Sequence, residues 1–567
     1  MLKQGTFINK RFNKLLLGCF WGNLAYAINL MTDSIISGKA LGEVSLQAVS
    51  IVYPLFSLIY FFSYLIAPGA GVIFGKLIGE FNKDESSRVV GTTFIATLIV
   101  TTFLTIGLWI LKIPFLTYYG CSGELMIEAS SYYNWMILFA ILDCISVPLH
   151  YFTVADGEAL LVSISSVSNI VANVILSIIL SARYGIMGLG LATCIGRMLS
   201  LISYLPHFLR KSNNVKFHLC FHFKYVKRSL YLSFSYYFYY IFLAIVDIVL
   251  NKIIIMMCGI EFIPSYAVIN LVFGTCEIYE SLTNSSLGLV TCFLGERNRH
   301  DMNLLFKNIM YKMFIMALGL CIIFFFGAPL MPKLFGLETK ETIDAAITAS
   351  KIVSFVSFGF GIAYVGANIL YTIEKPLFSC FMSFLNDIVM PLLCSLVAGS
   401  LWGFTGIAIG MAISSYLAII VYTIVVVLLK GKKGFPFYLE IENEESVSYD
   451  LYVTCESIFL VKDWFNLQLT SHGYNIDNIE ILIEEFYTRI LEKNNGKKVL
   501  SEVILLFSEK QVRIIIRNDG DVFNFVDDIR KNESNNTSIV YDLLQQTINK
   551  EYLVTADFNR DYFVFEK

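Results

Sequence analysis

Charge is what this chain has least of. Only 15% of its 567 residues are Asp, Glu, Lys or Arg, against about 25% in an ordinary soluble domain. With 56% hydrophobic residues and a mean hydropathy of +0.65, most of the chain is expected to be solvated by lipid. A formal net charge of −3 leaves no whole-chain argument for nucleic acid. The twelve cysteines contain no CxxC pair and stand mostly alone in apolar segments, as Cys144, Cys194, Cys258 and Cys394 do. Such residues are expected to be small buried apolar side chains. After Lys3, Lys10, Arg11 and Lys14 comes a long apolar segment without a small-residue cleavage site, which predicts a retained first helix and not a signal peptide.

What the chain does have is a repeat. Gly79-Glu80-Phe81-Asn82-Lys83 closes one apolar segment, and Gly295-Glu296-Arg297-Asn298-Arg299 closes another 216 positions later. Tyr184-Gly185-Ile186-Met187-Gly188-Leu189-Gly190 is echoed by Trp402-Gly403-Phe404-Thr405-Gly406-Ile407-Ala408 at an offset of 218. Internal repeats of this size in an apolar chain mark secondary transporters and point to solute movement rather than bond chemistry.

A spanning helix needs ~20 apolar residues. Twelve candidates fall at 14–37, 45–75, 89–111, 131–154, 162–182, 186–209, 230–258, 263–294, 309–331, 348–372, 376–400 and 404–430. Basic residues gather in alternate loops, notably at the N-terminus, 76–88, 210–228, 297–312 and 430–433. The positive-inside rule then places both termini in the cytoplasm, which agrees with an even span count, since that puts them on one side. The expectation is a polytopic all-α protein of the cytoplasmic (inner) membrane, with twelve transmembrane helices in two six-helix parallel repeats. The lobes are 1–213 and 214–434, and 435–567 is a linker and soluble α+β domain. In that domain 478–493 has helical period, while 498–507 and 511–517 alternate as strands.

Intramembrane ionisable groups cost ~3 kcal/mol each at mid-depth and are functional candidates by default. The first half offers Asp33, Asp143 and Arg197, plus Asn169 and Asn173 on one helical face; the second offers Asp247, Glu277, Glu280 and Asp387. Asp143 and Arg197 read most simply as a mutual structural ion pair. Asn169 and Asn173 fit either a polar site or interhelical hydrogen bonding. Glu277 and Glu280, three apart in one apolar segment, would repel if both ionised, which suits a proton or cation site.

These residues resemble the multidrug and toxic-compound extrusion (MATE) family. Asp33 to Gly42 followed by Leu46-Gln47-Ala48 is similar to that family's first-helix aspartate and turn, and Asn169-x3-Asn173 followed by Gly185 to Thr193 to its fifth- and sixth-helix pattern. The resemblance covers residues 1 to about 430. It implies Asp33 as a cation-responsive carboxylate with Asn169 in its network, and Asp247 near a seventh-helix acid of some members. Asn173 stands where many members have aspartate. The tenth-helix acid of some members has no counterpart, since 352–373 contains no Asp or Glu. Glu277 and Glu280 are the compensating pair in our reading.

Residues 446–567 resemble the histidine-kinase-type ATP-binding fold, nearest the anti-sigma-factor kinases. Glu485 matches its conserved glutamate, and Arg517-Asn518-Asp519-Gly520 resembles its Asp-x-Gly segment. Arg489 stands in place of the Mg²⁺-binding asparagine and Asn518 in place of the adenine-reading aspartate. The lid, at Thr537-Ser538-Ile539, has no glycine. A guanidinium at the metal position repels Mg²⁺, so Glu485, Arg489, Asn518 and Gly520 read as a degenerate nucleotide site.

Together these readings predict a non-enzymatic antiporter with no cofactor, driven by H⁺ or Na⁺. It exports organic cationic or amphipathic solutes, while its C-terminal domain is regulatory or docks a cytoplasmic protein. A lipid-linked saccharide flippase of the same superfamily and a membrane-tethered sensor are the alternatives.

Overall fold

The structure, a computed structural model, describes residues 5–36, 41, 43–52, 54–118, 121–210, 213–259, 262–334, 339–431, 445–474, 476, 479–495, 497–531, 535–555 and 558–566. The first half of the apolar region contains α1 (Thr6–Ile36), α2 (Glu43–Val52), α3 (Pro54–Ser63), α4 (Ala67–Gly79), α5 (Lys83–Tyr118), α6 (Gly123–Ala155), α7 (Ala159–Tyr184) and α8 (Ile186–Leu209). The second contains α9 (Phe223–Leu232), α10 (Phe234–Met257), α11 (Ile263–Thr275), α12 (Glu280–Glu296), α13 (Arg299–Gly327), α14 (Met331–Leu334), α15 (Lys340–Val353), α16 (Val356–Thr372), α17 (Pro376–Phe384) and α18 (Met390–Lys430).

Several expected spans are not single helices. The 45–75 segment is broken into α2, α3 and α4, with Pro54 opening α3 and Pro68 in the first turn of α4. Proline fits a first turn but removes the hydrogen bond that would continue the preceding helix. The 263–294 segment is interrupted by a 3₁₀ turn at Cys276–Tyr279. The segments 376–400 and 404–430 run together, bent at Trp402 and Gly403, where the backbone leaves helical geometry. Seven helices among the described residues are long and apolar enough to cross a membrane, or eight if the bent pair α15 and α16 is one span. That is fewer than the twelve expected, because breaks shorten some candidates and one run of 55 residues, Pro376–Lys430, merges two.

The repeat extends to the backbone of the turns. Phe81 and Arg297 have φ of 59° and 58°, left-handed values unusual for residues with a Cβ. Gly157 and Glu374 also share positive φ. Gly185 has φ 60° and ψ −139°, Gly403 φ 59° and ψ −139°, a conformation open only to glycine without strain. Corresponding chain reversals thus recur at the sequence offset of the repeat.

After α18 comes a five-stranded antiparallel sheet in the order β1-β2-β3-β5-β4. Its strands are β1 (Glu445–Tyr452), β2 (Leu500–Phe507), β3 (Gln511–Asn518), β4 (Asn549–Thr555) and β5 (Phe558–Glu566). The helices α19 (Cys455–Ser471), α20 (Ile479–Lys493), α21 (Phe525–Lys531) and α22 (Asn535–Gln546) accompany it. Val461, Phe465, Ile483 and Phe486 pack on the Val503, Leu505, Ile514 and Phe563 face. The opposite face is also covered: Leu500 and Phe558 join the core of the helical region, and Leu553 joins a second cluster there. The strands expected from alternation are present, but β2 is buried along its whole length and β3 along nearly all of it. A soluble sheet with a wetted face is therefore not what forms.

Candidate functional site

A cavity of about 630 Å³ lies between the two helical halves. From the first half, α7 supplies Asn169 and Asn173. Glycine at 196 lets α8 approach this face, since a Cβ there would stand 2.7 Å from Asn169 Oδ1 and 3.3 Å from Asn173 Cβ. Asn173 Nδ2 donates to Thr193 Oγ1 at 3.1 Å, while its buried Oδ1 has no partner. Arg197 also lines the cavity. Its guanidinium is ion-paired to Asp143, which is wholly buried, and lies 5.7 Å from the Phe139 ring centroid. The expected Asp143–Arg197 pair is thus present.

The second half supplies the acids. Glu277 sits in the 3₁₀ turn before α12, and Glu280 opens α12. Both line the cavity, and Glu280 Oε1 accepts from Asn284 Nδ2 at 3.3 Å. Asp387 joins them on the same wall. It stands in a π-helical turn at Leu385–Val389, accepting from Asn386 Nδ2 at 2.6 Å. Helical irregularities of this kind expose backbone and re-aim side chains, and here each carries a carboxylate to the cavity. Asp33 and Asp247 belong to α1 and α10, but their side chains lie outside the described residues. The sequence offers Asp387 only as an acid in an apolar segment at the repeat offset of Asn169, with no specific role; the π turn is what brings it to the cavity.

Toward the end of the helices where the C-terminal domain sits, called the tail side here, a tyrosine cluster narrows the cavity. Tyr64 stacks on Tyr236 at 6.2 Å, and Tyr236 contacts Tyr151 at 5.8 Å and Tyr371 at 4.8 Å, edge to face. Tyr64 and Tyr151 come from the first half and Tyr236 and Tyr371 from the second, so the rings bridge the halves. Such aromatic contacts add ~1 kcal/mol each beyond burial. Glu374 reinforces the closure, pairing with Lys76 across the halves at 2.7 Å and with Arg228. Tyr236 stands in the aromatic run 234–240, which the sequence marks as a candidate cavity wall, and Tyr236 and Tyr239 do line the cavity; Tyr64, Tyr151 and Tyr371 carry no such signal, because tyrosine is common throughout the helices.

In the C-terminal domain, Arg489 donates to Glu485 Oε1 at 2.8 Å and to Asp528 Oδ2 at 3.1 Å. Asn518 Oδ1 accepts from Gly520 N at 3.2 Å and from Asn559 Nδ2 at 2.9 Å. A Cβ on Gly520 would meet the Asn494 side chain at 2.7 Å. The groups expected as remnants of a nucleotide site are therefore bonded to one another. Thr537 and Ser538 have side chains outside the described residues.

A family model described as MatE matches residues 19–179. The chain is 23% identical over 412 residues to the multidrug export protein MepA of Staphylococcus saprophyticus, spanning 68% of this chain and 86% of that protein. An outward-facing multidrug resistance MATE family transporter of the MOP superfamily superposes with a TM-score of 0.69 at 18% identity, over 75% of this chain and 97% of the other. The Vibrio cholerae MATE transporter VcmN in its bent form gives 0.67 at 16% identity, over 74% and 97%. A Pyrococcus furiosus MOP superfamily transporter, whose binding pocket is described as of reverse polarity, gives 0.67 at 18%, over 73% and 94%. At these identities the structures establish the fold, a helical MATE-type transporter fold. Members of that family are secondary transporters and not enzymes. The matched family model, the curated relative and the shared fold, on a chain with a cavity between two repeated halves, together support a transporter of the MATE family.

Proposed function

We propose that the chain is an antiporter that exports organic cationic or amphipathic solutes, driven by H⁺ or Na⁺. It has twelve spans in two six-helix lobes and both termini in the cytoplasm, so that the tail side is the cytoplasmic side. One observation carries this reading: Glu277, Glu280 and Asp387 face a single inter-lobe cavity that also has aromatic walls. Arg197, a cation on the same cavity, is already paired with Asp143, which leaves the acids to set the charge of the cavity. An acidic, aromatic cavity attracts organic cations through charge and cation–π contact. Proton or Na⁺ binding at the same carboxylates competes with such a cation and biases one conformation over the other. Asp33 and Asp247 are assigned to the same coupling role by the family resemblance. The multidrug export named for the MepA relative agrees with this substrate class.

The C-terminal domain is a regulatory module descended from a histidine-kinase-type ATPase fold that has lost Mg·ATP binding. The bonding of Arg489 to Glu485 and Asp528 supports that loss. The test is efflux of a fluorescent organic cation from reconstituted vesicles under an imposed pH or Na⁺ gradient. Gradient-dependent efflux that Glu280→Gln abolishes is expected; efflux indifferent to both gradients in the unmodified protein refutes the coupling.

A further inference from the structure

We infer that the C-terminal sheet is a clasp, which by docking on the paired ends of α4 and α12 restrains the cavity from opening toward the tail side. This rests on the reading of the two halves as lobes that rock against each other.

The contact is built from two arginines that stand opposite each other on neighbouring strands, Arg517 on β3 and Arg560 on β5. Both are fully buried. Arg560 reaches the first lobe, donating to the carbonyl oxygens of Ile78 and Gly79, both at 3.3 Å, where α4 ends. A cation suits that position, since the last carbonyls of a helix lack intrahelical partners and carry its negative pole. The same guanidinium reaches the second lobe, 2.6 Å from Glu296 Oε1 at the end of α12. Arg517 pairs with the other oxygen of Glu296, with Asp301 at 2.8 Å and with Glu502 of its own sheet at 2.7 Å. Each guanidinium also lies over an aromatic ring of a different lobe: Arg560 over Phe81 at 4.4 Å, Arg517 over Phe293 at 4.5 Å.

Glu296 and the Gly79 carbonyl belong to the two copies of the repeated Gly-Glu motif, and Ile78 immediately precedes the first copy. The domain therefore grips equivalent points on both lobes, and it does so from two strands whose spacing is fixed at ~5 Å by the sheet. The lobes cannot part at this end by more than a fraction of that distance without breaking buried, charge-assisted bonds, and a buried charge stripped of its partner is costly. Further contacts spread the grip over the first lobe. Phe558 meets Phe7 edge to face at 5.3 Å, Lys83 Nζ donates to the Tyr552 carbonyl at 2.9 Å, and Asp450 accepts from Thr6 N at 2.9 Å. A working cycle then requires the sheet to let go of at least one lobe, and whatever loosens it sets the transport rate.

Cys292 reports this directly. It lies under the clasp on α12, 1% exposed, with its thiol 3.5 Å from Glu296 Oε1. In the full-length protein in vesicles, Cys292 modification by a water-soluble maleimide is followed by peptide mass spectrometry in the unmodified chain, in Arg560→Gln and in Glu296→Gln. Hydrogen exchange of β2 and β3 is measured in parallel. The expected result is at least tenfold faster modification in both variants, with several-fold faster gradient-driven efflux. Modification that rises only where the strands also lose protection overturns the clasp, because loss of the cover over Cys292 then accounts for the whole effect. Modification unchanged in both variants overturns it, whatever the state of the strands. The readout needs no transport. Responsive modification without any efflux in the unmodified chain would sink the export reading alone, and normal efflux with unresponsive modification would sink the clasp alone.

Discussion

Gly79 and Gly295 meet backbone to backbone where α4 crosses α12. A Cβ on Gly79 would lie 2.9 Å from the Gly295 Cα, and one on Gly295 would lie 2.7 Å from the Gly79 Cα. These are corresponding glycines of the two repeats, so a close approach of the halves on the tail side is made by equivalent positions. Real Cβ atoms do not sit so close to another Cα, and no flexible side chain is available to yield.

Gly295→Val should therefore force the tail-side ends apart. Overpacking of this kind costs ~1–3 kcal/mol. The expected outcome is a lower thermal midpoint in detergent and rapid maleimide modification of Cys292, with gradient-driven efflux falling at least tenfold because the closed state is lost.

The three carboxylates of the cavity should differ from a generic acidic surface in being individually needed. Glu277→Gln, Glu280→Gln and Asp387→Asn, together with Asp33→Asn, should each reduce gradient-driven efflux by tenfold or more at unchanged expression. Vesicle efflux under a pH gradient measures this, and a variant that transports normally is removed from the coupling set.

Docking of the C-terminal domain should depend on pH. Burial pushes the Asp450 carboxyl up to about 6 from an ordinary 3.8, with Asp301 adding to the rise and the Thr6 and other backbone amides opposing it. Burial likewise raises Glu502, despite its bond to Arg517. A raised acid favours the docked state fully below its free value and loses that contribution as pH climbs through the raised one. The docked domain should thus be tighter at pH 5 than at pH 8. Hydrogen exchange of Thr6 and Phe7, corrected for intrinsic rates, should show protection falling across that interval, and Asp450→Asn should flatten the Asp450 part of the change.

Nucleotide should not bind the C-terminal domain. Because Arg489 is held by Glu485 and Asp528, a fluorescent ATP analogue with Mg²⁺ at millimolar concentration should give no saturable signal. Saturable binding competed by unlabelled ATP would reverse that assignment.

Long apolar runs, a fixed offset and glycine at two turns make the helical body readable in the sequence. Each is a local or periodic property, and lipid imposes it on every residue in a run. The helix at Ile479–Lys493 and the strands β2 and β3 are legible for the same reason, as period and alternation survive in short windows. The acids Glu277 and Glu280 stand out because a carboxylate in an apolar run has few reasons to be there. The breaks that aim the acids are harder to read, since the 3₁₀ turn at Cys276–Tyr279 and the π turn at Leu385–Val389 contain no proline or glycine, and Gly274 and Pro391 beside them do not say which kind of turn forms.

Composition and periodicity alone determined that this is a duplicated, lipid-solvated helical protein with acids inside it and a sheet domain behind it. Only the tertiary structure decided where that domain goes. Nothing in the sequence links Arg517, at the edge of the Asp-x-Gly-like segment, or Arg560 to Glu296 of the repeated motif, until folding brings together groups 221 and 264 positions apart. Pairing between surfaces depends on shape and on the desolvation of both partners, and neither leaves a trace in the pattern of either segment by itself.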